Sequence, residues 1–190
     1  MPLLSYSNAR LSALSDGVFA IVLTLLALEV RMPQGDGQSF AEAFAENLGV
    51  LEEYFLAFLL VGVLWKLQHG VLDVVTVGTP LFLWLNLLFL ATVTITPWSL
   101  SALIDFGGEP LAVVFFSGML LTGWLLLLAM TLCARLADLA EGDRARLRGL
   151  RHVFAGGSGV AALSVLLAPV AAGLAVWVWV LLVPLLLAMR

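Results

Sequence analysis

Charge is scarce in this chain of 190 residues: 12% of its positions are Asp, Glu, Lys or Arg, against 62% hydrophobic. Soluble domains carry about 25% charged residues, so composition excludes an ordinary water-soluble fold. Cysteine is almost absent. The single Cys133 excludes an intrachain disulfide, and with His69 and His152 far apart there is no Cys/His cluster at zinc spacing. No metal and no cofactor are expected. Basic residues are also few, 9 against 13 acids for a net charge of −4 and with no long basic run, which excludes nucleic acid as a partner. No Ser/His/Asp arrangement has a supporting pattern, so an enzyme is not expected.

What the chain does have is long apolar stretches. A bilayer core of roughly 30 Å is crossed by about 20 residues of helix. Four stretches fit, at about 11–30, 51–69, 81–103 and 111–132. From Val153 to Met189 there is no formal charge, and as one helix this run would be about 55 Å long, too long for one crossing. Pro169 and Gly173 near its middle predict a reversal and two helices, about 153–168 and 172–189. Asp16 interrupts the first apolar stretch and no cleavage pattern follows, so that stretch reads as a span and not as a secretory signal. No internal repeat or linker divides the chain. The expected fold class is an all-α integral membrane protein: one six-helix transmembrane domain, 1–190.

Arginine and lysine in short loops resist translocation, so they fix orientation. With both termini cytoplasmic, Arg10, Lys66, Arg135, Arg144, Arg146, Arg148, Arg151 and Arg190 lie inside and only Arg31 outside. The outer side collects Glu29, Asp36, Glu42, Glu46, Glu52, Glu53, Asp105 and Glu109. Those acids either concentrate cations at a mouth or are simply solvated loop charges. In the connection after Arg31, Ser39 and Glu42 have capping-box spacing, predicting a short helix with Phe40, Phe44 and Leu48 on one face. The segment from Asp138 to His152 reads as a cytoplasmic helical connection whose arginines are topogenic, with phospholipid headgroups as an alternative partner.

Polar groups at membrane depth need a partner or a purpose. Asp16, Trp65, His69 and Asn86 fall at one depth in the derived orientation, Trp65 and His69 sharing a helix face at i, i+4. With Arg10 and Ser15 they are expected to form a structural hydrogen-bond cluster. The alternative is a proton-coupled secondary transporter using Asp16 and His69, but nothing titratable lies at mid-depth to continue such a relay. Thr76–Pro80 is a loop, because its proline breaks any carbonyl ladder of a filter. Gly156-Gly157-Ser158-Gly159 lacks the following lysine of a phosphate loop and reads as a close helix-packing face.

On the first helix Gly17, Ile21, Thr24, Leu25 and Leu28 make one stripe, and Ala13, Ala20 and Ala27 another that suits close helix packing. By itself the aliphatic stripe is equally a surface for lipid or for a neighbouring helix. The run Arg10-Leu11-Ser12-Ala13-Leu14-Ser15-Asp16, continuing Gly17-Val18-Phe19-Ala20-Ile21, resembles the signature of the transmembrane protein 175 family, in which an arginine and three variable residues precede phenylalanine-serine-aspartate. Leu14 stands here in place of the phenylalanine. Trp65 with His69, and Asn86-Leu87-Leu88-Phe89-Leu90 leading to Pro97, are similar to family positions in the second and third helices. The last three helices match only in number and hydrophobicity.

The resemblance implies a potassium-permeable cation channel in a bacterial inner membrane, a homotetramer whose first helices line a central pore. It implies a constriction of aliphatic side chains, at positions corresponding to Ile21, Leu25 and Leu28, with Thr24 as a polar ring. Partners are then other copies of the chain, membrane lipid and monovalent cations, with potassium as the permeant species. A hydrophobic neck of this kind stops ions by excluding water, and it opens by widening and wetting.

Overall fold

A computed structural model describes residues 6–30, 39–106, 108–140 and 143–182. The expected outer charges Arg31 and Asp36, the side chains of Glu29 and Glu46, and the end of the helix expected at 172–189, with Arg190, lie outside the described residues.

The described chain is almost wholly helical, with α1 (Asn8–Glu29), α2 (Phe40–Glu46), α3 (Leu48–Leu72), α4 (Pro80–Asp105), α5 (Pro110–Leu136), α6 (Arg144–Trp177) and a short 3-10 turn, Val178–Leu181. Among the described residues, five helical stretches are long and apolar enough to cross a membrane. The helices overrun the apolar runs by a few residues at each end. Polar residues such as Asn8, Asp105 and Arg144 stand at these helix ends, where the backbone continues to satisfy its own N–H and C=O groups.

Local chemistry places the ends. Ser39 and Glu42 form a reciprocal capping box that starts α2, with Ser39 N–H donating to Glu42 Oε2 at 2.9 Å. Thr79 Oγ1 accepts from Phe82 N–H to cap α4, and Pro80 occupies its first turn. The 76–80 loop also contains β2 (Val77–Gly78), which pairs antiparallel with β1 (Tyr6–Ser7) and ties the entry of α1 to the entry of α4. Any side chain on Gly78 would collide with Leu11. Within α4, Pro97 removes one donor; Thr92, Thr96 and Ser99 donate their hydroxyls to carbonyls of the same helix.

Packing divides the bundle. α1 lies chiefly on α3 and on α4, while α5 is clasped between α4 and α6. One apolar core joins them, with Phe19, Phe82, Phe89, Leu127, Met130 and Phe154 fully buried. Between α5 and α6, Gly157 faces the Trp124 ring so closely that a side chain there would meet it. The glycine-rich run is therefore a packing face, as its small residues suggest.

The long apolar run after Val153 is continuous with the helix that starts at Arg144, so the separate helix expected from residue 153 begins nine residues earlier. α6 leaves helical geometry at Ala171 (φ −152°, ψ 69°). Ser164 Oγ donates to Ala175 O at 2.8 Å, whereas eleven residues of unbroken helix would separate them by about 16 Å. The chain after Ala171 thus folds back on α6. Ser117 and Ser164 share a 2.8 Å hydrogen bond, and Trp179 sets its ring edge on Phe116 at 5.8 Å, which holds the returning limb against α5.

Two predictions follow from these local geometries. Gly157→Ala drives a methyl group into the Trp124 ring and should cost about 1–3 kcal/mol, lowering the unfolding temperature of the detergent-solubilised protein. Gly159→Ala, with open space at its Cβ, should not. At α2, hydrogen bonds from the Ser39 side chain and backbone hold the Glu42 carboxyl below its ordinary value of 4.5. The cap therefore stabilises α2 fully above that value and is lost as the pH falls below it. Amide exchange at Ala43 and Phe44 should accelerate on acidification, and Glu42→Gln should weaken that dependence.

Candidate functional site on the first helix

α1 presents three faces. Leu11, Ser15, Phe19, Val22 and Leu26, spaced four, four, three and four residues apart, are buried against α3 and α4. About 110° round the helix lie Leu14, Ile21, Leu25 and Leu28, the last three more than half exposed at 59%, 53% and 65%. Gly17 opens onto free space on this face. Thr24 is exposed beside them, its hydroxyl donating to Ile21 O at 2.9 Å. The third face carries Ala13, Ala20 and Ala27. These alanines are exposed in the chain, which leaves them open to packing by another copy or another molecule.

The buried face also carries a polar contact that joins three helices. Ser15, Gln68 and Asn86 are at most 1% exposed. Ser15 Oγ donates to Leu11 O and accepts from Gln68 Nε2 at 2.7 Å and from Asn86 Nδ2 at 3.1 Å. Gln68 Nε2 also donates to Asn86 Oδ1 at 2.6 Å. Both Gln68 N–H groups are thereby used, and α1, α3 and α4 are locked at one level.

Asp16 points the other way, onto the outside of α3. Its Oδ1 accepts from Trp65 Nε1 at 2.9 Å, and Trp65 stacks on His69 at 5.2 Å. His69 Nε2 lies 3.4 Å from Asp73 Oδ1, and Arg146 Nη2 donates to Asp73 Oδ2 at 3.1 Å. This ladder is exposed along most of its length.

The six residues expected in one cluster therefore separate. Ser15 and Asn86 join Gln68 in the interior, Asp16 joins Trp65 and His69 outside, and Arg10, exposed at the start of α1, joins neither among the described residues. Gln68 is the member that sequence reasoning missed. Its signal was an amide within a 25-residue apolar helix, where an unpaired polar side chain is costly. Among the described residues, no group of three or more His, Cys, Asp or Glu side chains could hold a metal ion.

The two groups should respond differently to substitution. Ser15→Ala removes the acceptor of two buried N–H groups and is expected to cost about 1–3 kcal/mol. Asp16→Asn keeps an oxygen for Trp65 at an exposed site and should cost much less. Thermal unfolding of both variants in detergent checks this; equal losses would contradict the division.

Comparison with known proteins follows the same helices. A family model described as the endosomal/lysosomal potassium channel TMEM175 matches residues 10–97, from the arginine that opens the α1 signature to the proline of α4. A potassium channel of Streptomyces collinus is 34% identical over 100 residues, 52% of this chain and 48% of that protein. The chain thus matches about half the length of that relative. The endosomal/lysosomal proton channel TMEM175 of Gallus gallus is 39% identical over 94 residues, covering 45% of this chain and 19% of the chicken protein. The crystal structure of a lysosomal potassium-selective channel TMEM175 homolog from Chamaesiphon minutus superposes with a TM-score of 0.76 at 26% identity, over 96% of this chain and 98% of that one. This last likeness includes α5 and α6, beyond the family model. The chain is thus similar to the TMEM175 family of ion channels over residues 10–97, and its multi-pass helical fold is shared with a solved TMEM175 homologue over nearly the whole chain.

Proposed function

We propose that the protein is a potassium-permeable cation channel of a bacterial inner membrane, assembled as a homotetramer of six-crossing subunits around an axis lined by α1. The observation that carries this reading is the division of α1 into faces. One face is satisfied by the subunit's own core, while Ile21, Leu25 and Leu28 stand more than half exposed on another. The adjoining Ala13, Ala20 and Ala27 are small enough to let the same helix of a neighbouring copy approach closely, which turns the aliphatic stripe toward the common axis. Relatives named potassium channels support the choice of ion.

In this arrangement Ile21, Leu25 and Leu28 form stacked rings that exclude water and set the constriction. Thr24 supplies a hydroxyl ring between them. Its proton is engaged by Ile21 O, so its oxygen lone pairs are available to a cation that has shed part of its hydration. The acidic residues Glu52, Glu53, Asp105 and Glu109, at the opposite end from the arginines of α6, would raise the local cation concentration at the mouth. The Asp16, Trp65 and His69 ladder is a poor proton wire, because the indole between the acid and the imidazole is a donor only.

The test is electrical. Purified protein reconstituted in a planar bilayer should give discrete potassium current steps. Leu25→Asn or Leu28→Asn should raise conductance and bring the potassium-to-sodium permeability ratio toward unity by wetting the neck. Unchanged currents in both variants would place the pore elsewhere. A proton gradient imposed across liposomes separates the other reading: a proton-coupled carrier gives saturable, pH-driven flux that Asp16→Asn abolishes, without current steps.

A further inference from the structure

A second feature lies away from α1, where α5 ends and α6 begins. A cavity of about 660 Å³ is lined there by Arg135, Asp138, Arg144, Arg148, Arg151 and His152. Arg144, Arg148 and Arg151 recur at four and three residues and so share one face of α6, opposite Arg135 on the last turn of α5. The lining carries four permanent positive charges and, among the described residues, one carboxylate, Asp138, which is paired with Arg144 at 3.1 Å. Arg146, on the far face, is already engaged by Asp73.

Two observations point to an anion in this cavity. Arg151 Nη1 is buried and has no hydrogen-bond partner, a condition that leaves a charged donor uncompensated. The cavity is also held open by its own backbone. Asp138 turns the chain with φ 50°, Leu139 N–H donates to Ala134 O, and Leu139 O accepts from both Thr76 N–H and Thr76 Oγ1. The arginines are thus presented by a fixed turn and two helix ends.

Depth identifies the kind of anion. The apolar run of α5 ends at Leu132 and that of α6 resumes at Val153, so Arg135 and Arg151 stand where the helices leave the hydrocarbon, at headgroup level. Guanidinium groups bind phosphate in forked pairs of short hydrogen bonds, and basic pockets between spanning helices suit acidic headgroups. We propose that this cavity is a binding site for a phosphate group at the membrane surface, that of an anionic phospholipid headgroup or of a soluble phosphate, held by Arg135, Arg148 and Arg151. The site joins the two helices that clasp the outer part of each subunit, so an occupant would brace the α5–α6 connection.

The test uses the full chain in detergent, with dioleoyl phosphatidic acid, dioleoyl phosphatidylcholine and inorganic phosphate as probes. Native mass spectrometry should show phosphatidic acid retained in preference to phosphatidylcholine. Each arginine removed should weaken retention about tenfold, as read in Arg148→Gln and in the double variant R148Q/R151Q, whereas Arg146→Gln should bind like the parent. Displacement by inorganic phosphate at matched ionic strength would identify the phosphate as the recognised group and admit a soluble ligand; resistance to displacement would assign the site to lipid. Arg148 is exposed, so its single variant keeps the test decisive if the double variant does not assemble. Equal retention of the two lipids, or loss in Arg146→Gln matching that in Arg148→Gln, would overturn the site.

Discussion

The three-way hydrogen bond among Ser15, Gln68 and Asn86 is the constraint on which the arrangement of α1 depends. Helices in a bilayer gain little from hydrophobic association, because lipid tails are as apolar as leucine. What fixes their rotation is close packing and the few polar groups that must find one another. Ser15 offers one oxygen to two amide groups on different helices, and turning α1 by a quarter turn would strand all of them. The same lock that buries Ser15 turns Ile21, Leu25 and Leu28 to a more exposed side. Rotation of α1, and with it the identity of any pore-lining surface, is decided by an interaction some distance along the helix.

The other half of the subunit is built on a different economy. α5 and α6 approach through a glycine set against the Trp124 ring and through the Ser117–Ser164 hydroxyl pair. The break at Ala171 then lets the chain return over its own helix, with Ser164 satisfying Ala175 O. Small residues and short hydroxyls do here what amides do around α1: they let backbones come close while pairing the Ser117 and Ser164 hydroxyls. This part of the chain lies outside the family match at 10–97, yet it superposes on the Chamaesiphon homologue. Helix packing of this kind constrains residue size more than residue identity, which is why fold persists where sequence likeness fades.

Membrane depth organises the charged residues as well. The exposed ladder from Asp16 through Trp65, His69 and Asp73 to Arg146 and the arginine-lined cavity beside it occupy the same end of the bundle. The ladder pairs its charges internally. The cavity pairs only Arg144 with Asp138 among the described residues, and the unpartnered Arg151 nitrogen is the sign of that difference.

Much was legible in the residues alone. The apolar runs, their lengths and the punctuation at Ser39, Thr79, Pro169 and Gly173 follow from hydrocarbon thickness and backbone chemistry, which act locally and leave their mark in consecutive positions. The signature from Arg10 to Asp16 was likewise visible as a string. What could not be read was which polar side chains meet. Asp16 and Asn86 lie at similar depths and were expected together, but depth leaves the rotation of each helix free, and the fold sends Asp16 outward to Trp65 and Asn86 inward to Gln68. The sequence by itself determined how many apolar stretches there are and which residues share a helix face, because those depend on spacing along one chain. Only the tertiary structure decided which face turns inward, that the last long helix doubles back at Ala171, and that four arginines line one cavity, because each of these depends on contacts between segments distant in the chain.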